Sequence, residues 1–309
     1  MLSHAKILLL GGSGMVGHAL ATLLPKAQAI SSKNYDLTQE EQVEAMYAHY
    51  KPDYVFHLAA KVGGVKANMT QGADFYHQNT LMNTHVLHYA RLFGVKKVLS
   101  LLSTCIYPDK ASYPLCEEDI HAGLPHNSNY PYAYAKRMLD IQSRAYRDQY
   151  GCNFITAVPN NLFGEHDQFH LEDSHVIPAI IHKTYLAKKR NSSLVLWGDG
   201  SPLREFTYAL NLARCLVFLM EHYDEPEPIN VGSSEAWSIR EVAELIVHFL
   251  DFQGEVEWDL NQPMGQHQKP SCHKKIKALG WCDSECMPFK SALEVTCKWF
   301  EAHYPNVRG

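Results

Sequence analysis

No stretch of this sequence approaches the roughly 20 consecutive apolar residues that a membrane-spanning helix requires, which excludes an integral helical membrane protein. An excess of charge of one sign is missing too. The 28 Lys and Arg residues stand against 33 Asp and Glu, a net charge of -5 with no general attraction for phosphate backbones or anionic lipid. Paired cysteine spacing is also absent. The eight cysteines (105, 116, 152, 215, 272, 282, 286, 297) carry no repeated Cys-x-x-Cys, which argues against a disulfide framework or a zinc site. Most are expected to be small buried hydrophobes. No internal repeat or low-complexity tract occurs. Met1 to Lys6, followed by only four apolar residues, does not make a secretion signal, so a cytoplasmic protein is expected. What is present is 309 residues of ordinary globular composition, 46% hydrophobic and 20% charged, enough for about two domains or one large domain with a smaller lobe.

The chain opens with a short apolar run over 6–10, a glycine turn, and then Val16, Leu20, Leu23 and Leu24 at helical spacing. Strands and helices then alternate: strand 28–31, helix 38–50, strand 54–58, helix 73–93, strand 97–103, helix 132–150, strand 154–158. Alternation of this kind implies an α/β doubly wound parallel sheet, Rossmann-like, covered by helices on both faces. After Gly164 the pattern changes to a helix over 176–189, a strand over 194–197 and a turn over 198–202. Strand 204–208, helix 210–222 and strand 229–232 are expected to return to the sheet. A capped helix over 238–251, with Ser238 and Glu241 at capping-box spacing, a strand over 255–258 and a helix over 288–303 complete a smaller C-terminal α/β lobe. The expected division is a cofactor domain of 1–164 plus about 205–235, and a substrate lobe of about 165–204 plus 236–309.

Gly11, Gly14 and Gly17 sit where a dinucleotide-binding turn needs them, for the tight turn, for close approach of backbone to a pyrophosphate, and for packing of helix on strand. Gly12, Ser13, Met15 and Val16 complete that turn, and the following helix offers amides and the positive end of its dipole. At the end of the second strand an acid would hold a ribose hydroxyl and a cation would accept a 2′-phosphate. Ser31, Ser32 and Lys33 occupy it, which favours NADP; Asp36 lies further on and is expected to start the next helix.

Ser103, at the end of a strand, is followed by Tyr132 and Lys136, one helical turn apart on one face. A phenol has an ordinary pKa of about 10, and a neighbouring ammonium is expected to lower it, so that Tyr132 can protonate a carbonyl oxygen as hydride reaches the carbon. Lys136 would also hold ribose hydroxyls, and Ser103 would bond the same carbonyl oxygen. Tyr134 is a decoy in the same window.

With these residues in place the sequence resembles the extended branch of the short-chain dehydrogenase/reductase superfamily and, within it, the GDP-L-fucose synthases. The resemblance rests on Gly11 to Gly17, Ser31-Ser32-Lys33, His57-Leu58-Ala59-Ala60-Lys61-Val62-Gly63-Gly64, Ser103-Thr104-Cys105-Ile106-Tyr107-Pro108 and Tyr132 to Lys136. It continues through Asn161-Leu162-Phe163-Gly164, His166-Asp167, Ser174-His175-Val176-Ile177-Pro178, Trp197-Gly198 and Arg204-Glu205-Phe206. It implies conversion of GDP-4-keto-6-deoxy-D-mannose to GDP-L-fucose, by epimerisation at C3 and C5 followed by NADPH reduction at C4. Protons alpha to a ketone can be removed and returned on the opposite face, which needs a second proton-transfer pair. The resemblance assigns that pair to Cys105 and His175, and alternation along a strand would set Cys105 on the same side as Ser103.

The resemblance further implies cofactor contacts from the glycine turn, Ser32, Lys33, Leu101, Leu102, Lys136, Pro159, Asn160, Asn161, Leu162 and His175. Lys183, Trp197, Arg204 and Lys269 are the implied substrate contacts, Arg204 suiting a bidentate grip on pyrophosphate. It requires no metal; the three histidines and several carboxylates of 165–175 have no regular ligand spacing and read as a loop bordering the site. Met264 departs from the aspartate usual in bacterial members, which keeps a GDP-4-keto-heptose, or C4 reduction alone, as an alternative. An NADP(H)-binding sensor without turnover is the non-enzymatic alternative. The resemblance also implies a homodimer through a four-helix bundle built from helices 73–93 and 132–150, whose apolar stripes are equally explained by packing on the sheet.

Overall fold

The computed structural model describes residues 2–171, 174–261 and 268–308, apart from the side chains of Val65 and Lys66. Six parallel strands form the central sheet: β1 (Ile7–Leu10), β2 (Gln28–Ile30), β3 (Tyr54–His57), β4 (Lys97–Leu101), β5 (Phe154–Pro159) and β9 (Ile229–Val231). Their order is β2-β1-β3-β4-β5-β9. The chain steps one way from β1 to β2 and then returns to the other flank of β1, so a crevice opens beyond the carboxyl ends of β1 and β3. In β1 all four residues are buried, but on opposite faces. Leu8 and Leu10 join one core with α2 (Glu40–Tyr50), α4 (Gly72–Leu92) and α5 (Tyr130–Tyr150). Ile7 and Leu9 join a second core with α1 (Met15–Leu23) and α7 (Ala209–His222). This is why the parallel strands are continuously apolar rather than alternating.

After Pro159 the chain leaves this sheet. β6 (Asn161–Phe163) pairs with β8 (Leu203–Tyr208), which pairs on its other edge with β10 (Ala236–Ser238), and β7 (Leu194–Trp197) pairs with β11 (Val256–Asp259). A third core gathers Phe163, Phe206 and Tyr208 with buried residues of α6 (Val176–Arg190), α8 (Ile239–Phe249) and α10 (Phe289–His303). The expectation that 204–208 returns to the main sheet is therefore wrong, while 229–231 does return. β6, only three residues long, diverts β8 to itself, and periodicity gives no warning of so short a strand.

Other differences are local. α3 (Val65–Thr70) precedes α4 and was not expected, and α9 (Lys274–Ala278) follows β11. The helix expected from 38 starts at Glu40, because Asp36 accepts from the Thr38 amide at 2.9 Å and its hydroxyl at 2.7 Å in a turn of its own. The capping box at α8 forms as expected, with Ser238 and Glu241 satisfying each other's backbone N–H. Of the eight free cysteines only Cys215, Cys272 and Cys297 are fully buried, fewer than their hydrophobic character suggests.

Candidate active site

The glycine turn leaves β1 with the Gly11 and Gly12 amides donating to Ile30 O at 3.0 and 2.8 Å, which ties the turn to the edge strand β2. Gly11 has φ +88°, and a Cβ there would stand 2.8 Å from Ala59 N. A Cβ on Gly17 would stand 2.5 Å from Gly11 O, so helix and turn touch through bare backbone. α1 starts at Gly14 without a side-chain cap, which leaves its first-turn amides for an anion. Ser32 and Lys33 are exposed at the end of β2, in a turn held by Ser31 and Asn34, whose Oδ1 accepts from the Ser31 amide and hydroxyl at 3.0 and 2.9 Å. This cradle fits the diphosphate and 2′-phosphate of NADP.

β4 ends at Leu101, two residues before Ser103, which caps a short 3-10 turn (Thr104–Ile106), its Oγ accepting from Cys105 N at 3.4 Å. Cys105 is therefore not on a strand, and alternation is not what aims it. The 3-10 turn folds it back toward Ser103, and the thiol lies within electrostatic reach of Lys269 and Lys136. Burial pushes the Cys105 thiol up, while the Ser103 hydroxyl and these two cations oppose the rise.

Tyr132 lies in the first turn of α5 with Phe75 packed edge-on, ring centroids 6.2 Å apart. Lys136, one turn further, is buried and its Nζ donates to Leu101 O at 2.9 Å. The expected depression of the Tyr132 phenol is not observed. Loss of hydration, reinforced by Cys105, pushes it well above the ordinary value, and the same burial draws Lys136 down to about 8. Lys136 thus retains its charge near neutrality with little to spare. Tyr134 turns away, stacked edge-on with Tyr130 at 4.9 Å and lying beneath the Arg137 guanidinium at 5.3 Å.

Pro159 closes β5, and the Asn160 side chain is taken up within the protein. Its Nδ2 donates to Ser233 O at 2.8 Å and to Glu205 Oε2 at 3.3 Å, and its Oδ1 accepts from the Thr207 hydroxyl at 2.5 Å. Asn161 Nδ2 donates to Glu205 O at 2.9 Å, and Leu162 packs on the core below. Leu102, buried beside Ser103, is held by its amide to Ala157 O at 2.8 Å.

From the second lobe, His175 occupies the N-cap position of α6, and desolvation draws its imidazole below the ordinary histidine value although the residue stays open to solvent. Two turns along the same helix Lys183 sits 5.0 Å over the ring of the exposed Trp197, a cation on an aromatic face. Lys269 feels both Cys105 and Arg204, and burial lowers the pKa of both cations. Ser103, Cys105, Tyr132, Lys136, Lys269 and Arg204 thus form one connected cluster, and no charged group among the described residues acts on His175.

In the segment read as a loop, Glu165 accepts from Tyr208 OH at 2.9 Å, His166 stacks on His18 at 3.8 Å, and Asp167 is buried. Glu172, Asp173 and the Met264 departure lie outside the described residues. Glu205 and Asn230 carried no assigned role in the sequence, yet both organise the site. Glu205 Oε2 also accepts from Ser271 N at 3.1 Å, and Asn230 Oδ1 accepts from Tyr107 OH at 2.8 Å. The available signal was a polar residue inside an apolar strand.

The model of the NAD dependent epimerase/dehydratase family matches residues 7–232. A GDP-L-fucose synthase of Dictyostelium discoideum is 40% identical over 99% of this chain and 98% of its own. The crystal structure of a GDP-L-fucose synthetase from Naegleria fowleri bound to NADP superposes with a TM-score of 0.95, at 38% identity over 99% of this chain and 96% of that one. A GDP-6-OMe-4-keto-L-xylo-heptose reductase from Campylobacter jejuni gives a TM-score of 0.90 at 28% identity, covering 98% and 99% of the two chains.

Proposed function

The chain belongs to the NAD dependent epimerase/dehydratase family and, within it, to the GDP-L-fucose synthases, and from that premise we propose that it converts GDP-4-keto-6-deoxy-D-mannose to GDP-L-fucose with NADPH, epimerising C3 and C5 and reducing C4. The observation that carries the full reading is the convergence of Cys105 on the Ser103, Tyr132 and Lys136 cluster, because a simple reductase needs no second proton-transfer group. NADPH, when bound, supplies the hydride for C4. The glycine turn would hold its diphosphate, Ser32 and Lys33 its 2′-phosphate, and Lys136 its ribose.

The remaining steps belong to the side chains. At neutral pH the raised Cys105 thiol carries a proton and the lowered His175 imidazole does not, so the pair begins as one donor and one acceptor. A carbon acid beside the C4 ketone can then lose a proton to one and regain one from the other. Ser103 and Tyr132 donate hydrogen bonds to the C4 oxygen, which steadies the enolate during epimerisation, and Tyr132 passes its proton to that oxygen when the ketone is reduced. Its high pKa keeps the proton in place until alkoxide develops. Arg204 and Lys269 supply cations for the diphosphate of the nucleotide sugar, and the Lys183 and Trp197 pair offers a flat face with a charge behind it.

A homodimer is part of this proposal. α4 and α5 lie side by side, and Tyr130 and Ile141, three turns apart on one face of α5, are 44% and 55% exposed. A cytoplasmic setting agrees with eight free thiols and with described helices none of which is long and apolar enough to cross a membrane.

The test is NADPH oxidation with GDP-4-keto-6-deoxy-D-mannose in deuterated water, with the product read by NMR. GDP-L-fucose carrying deuterium at C3 and C5 supports the whole sequence of steps. Reduction without solvent deuterium removes the epimerase assignment of Cys105 and His175. Turnover only with a GDP-4-keto-heptose would transfer the reading to the substrate named for the Campylobacter relative, and binding of NADPH without any turnover would leave a sensor.

A further inference from the structure

Two cysteines far apart in the sequence meet at a short strand pairing outside the catalytic cluster. Leu115 and Ser271 form an isolated parallel bridge, with Leu115 N donating to Pro270 O at 2.8 Å and Cys272 N to Leu115 O at 2.9 Å. Cys116 and Cys272 are the next residues along the two bridged segments, and the Cys116 backbone stays extended, φ -105° and ψ 148°. Residues paired across neighbouring strands are about 4.8 Å apart, inside the window of about 4.4–6.8 Å between Cα atoms that a disulfide requires. The two thiols are near enough to act on one another electrostatically, and the Cys116 thiol donates to Pro114 O at 3.4 Å.

The pairing is firmly held. Asn230 Nδ2, from β9, donates to Leu115 O at 2.9 Å and to Cys272 O at 3.2 Å, and Asn230 N donates to Glu117 Oε1 at 2.8 Å. One residue of the central sheet thus clamps both segments. The two cysteines line a groove of about 570 Å³ with mixed charge, in which Arg144, Lys274 and Lys275 stand against Glu117, Glu118 and Glu227, with His121 beside them. Cys116 is half-buried and reachable from the groove, and Cys272 is buried behind it.

We propose that Cys116 and Cys272 are a reversible disulfide site whose oxidant is a small soluble disulfide of the glutathione class, which reaches Cys116 through this groove. The Cys116 thiolate attacks one sulfur of the small disulfide, whose S–S bond breaks and releases one thiol that takes up a proton. Cys272 then gives its proton to solvent and attacks Cys116 Sγ, and the second small thiol leaves. Two protein thiols are oxidised and one small disulfide is reduced to two thiols. Burial, the Cys272 contact and the Glu118 and Glu117 carboxylates push the Cys116 thiol up to about 11, so closure is slow at neutral pH and quickens about tenfold with each unit of pH rise toward that value. Once closed, the bond ties the segment three residues beyond Lys269 to the loop after Pro108.

The experiment treats the full-length reduced protein with oxidised glutathione at pH 7 and pH 9 and maps peptides by mass without reduction. The expected result is a linked pair of peptides containing Cys116 and Cys272, formed faster at pH 9, accompanied by a rise in Tm, and reversed by dithiothreitol. Cys272→Ser should stop at a glutathione adduct on Cys116, and Cys116→Ser should yield no link. Cys282, exposed and with a thiol drawn below its ordinary value by Ser284, is the internal control for oxidant reactivity. Adducts on Cys282 with no Cys116 to Cys272 link at pH 9, or a persistent unresolved adduct on Cys116 in the unmodified sequence, would overturn the proposal. Neither outcome depends on which sugar is turned over.

Discussion

In the proposed reduction step a single hydroxyl, that of Tyr132, supplies the proton. Tyr132→Phe keeps the ring that meets Phe75 edge-on and removes only the hydroxyl proposed to protonate the C4 oxygen. The loss expected in kcat is about 10²–10⁴-fold, with NADPH affinity measured by fluorescence titration almost unchanged. Lys136, drawn down to about 8, loses its charge on the alkaline side. The rate of NADPH oxidation should therefore fall as pH rises through about 8, and a profile flat to pH 9.5 would remove Lys136 from the charged part of the mechanism. Asp167 offers a test of stability. Burial raises its carboxyl to about 7, Oδ1 accepts from Gln168 N at 2.7 Å, and Oδ2 has no partner among the described residues. The folded protein thus binds this proton more tightly than the unfolded chain, where an aspartate titrates near 3.9. Its favourable contribution is complete below about pH 4 and is lost as pH rises through about 7. Asp167→Asn should raise Tm at pH 8.5, by at most about 4 kcal/mol of stability, with the gain shrinking between pH 7 and pH 4.

At the scale of elements, the cofactor cradle depends on how closely α1 approaches the turn before it. Gly17→Ala would place a methyl 2.5 Å from Gly11 O and 2.6 Å from Gly12 Cα, atoms of the backbone that cannot yield without moving the turn. The expected outcome is at least a tenfold weaker Kd for NADPH with a lowered Tm, read by titration and by thermal melting. Sequence spacing located this element well, because a glycine in a helix's first turn has a direct steric reason. It located Cys105 for the wrong reason. The strand ends at Leu101, and a 3-10 turn, whose short hydrogen-bonded ring leaves no periodic signature, brings the thiol back to Ser103. β6 escaped notice likewise, and with it the separation of β8 from the main sheet.

Across the whole molecule, the two lobes are joined by polar residues that no periodicity marks. Glu205, buried in β8, accepts from Asn160 on the cofactor side and from Ser271 beside Lys269, so one carboxylate sets the spacing between the two walls of the cleft. The stacked His18 and His166 rings span the same junction from α1, at 3.8 Å. If α4 and α5 form the proposed dimer face, Ile141→Arg should halve the mass seen by sedimentation equilibrium while leaving the circular dichroism spectrum unchanged. An unaltered mass would move the interface elsewhere.

The amino-acid sequence by itself determined the alternation of strands and helices, the glycine turn, the order Ser103, Tyr132, Lys136 and the family, because each rests on local spacing or on short contiguous motifs. Only the tertiary structure decided the protonation of those residues. Tyr132 and Lys136 are neighbours on a helix in either view, but burial, which depends on what the rest of the chain packs around them, raised one and lowered the other. It also decided that Lys269 and Arg204 reach Cys105's surroundings and that Cys116 lies beside Cys272. Contacts between segments about a hundred residues or more apart are set by how the sheets close on one another, and no local pattern encodes them.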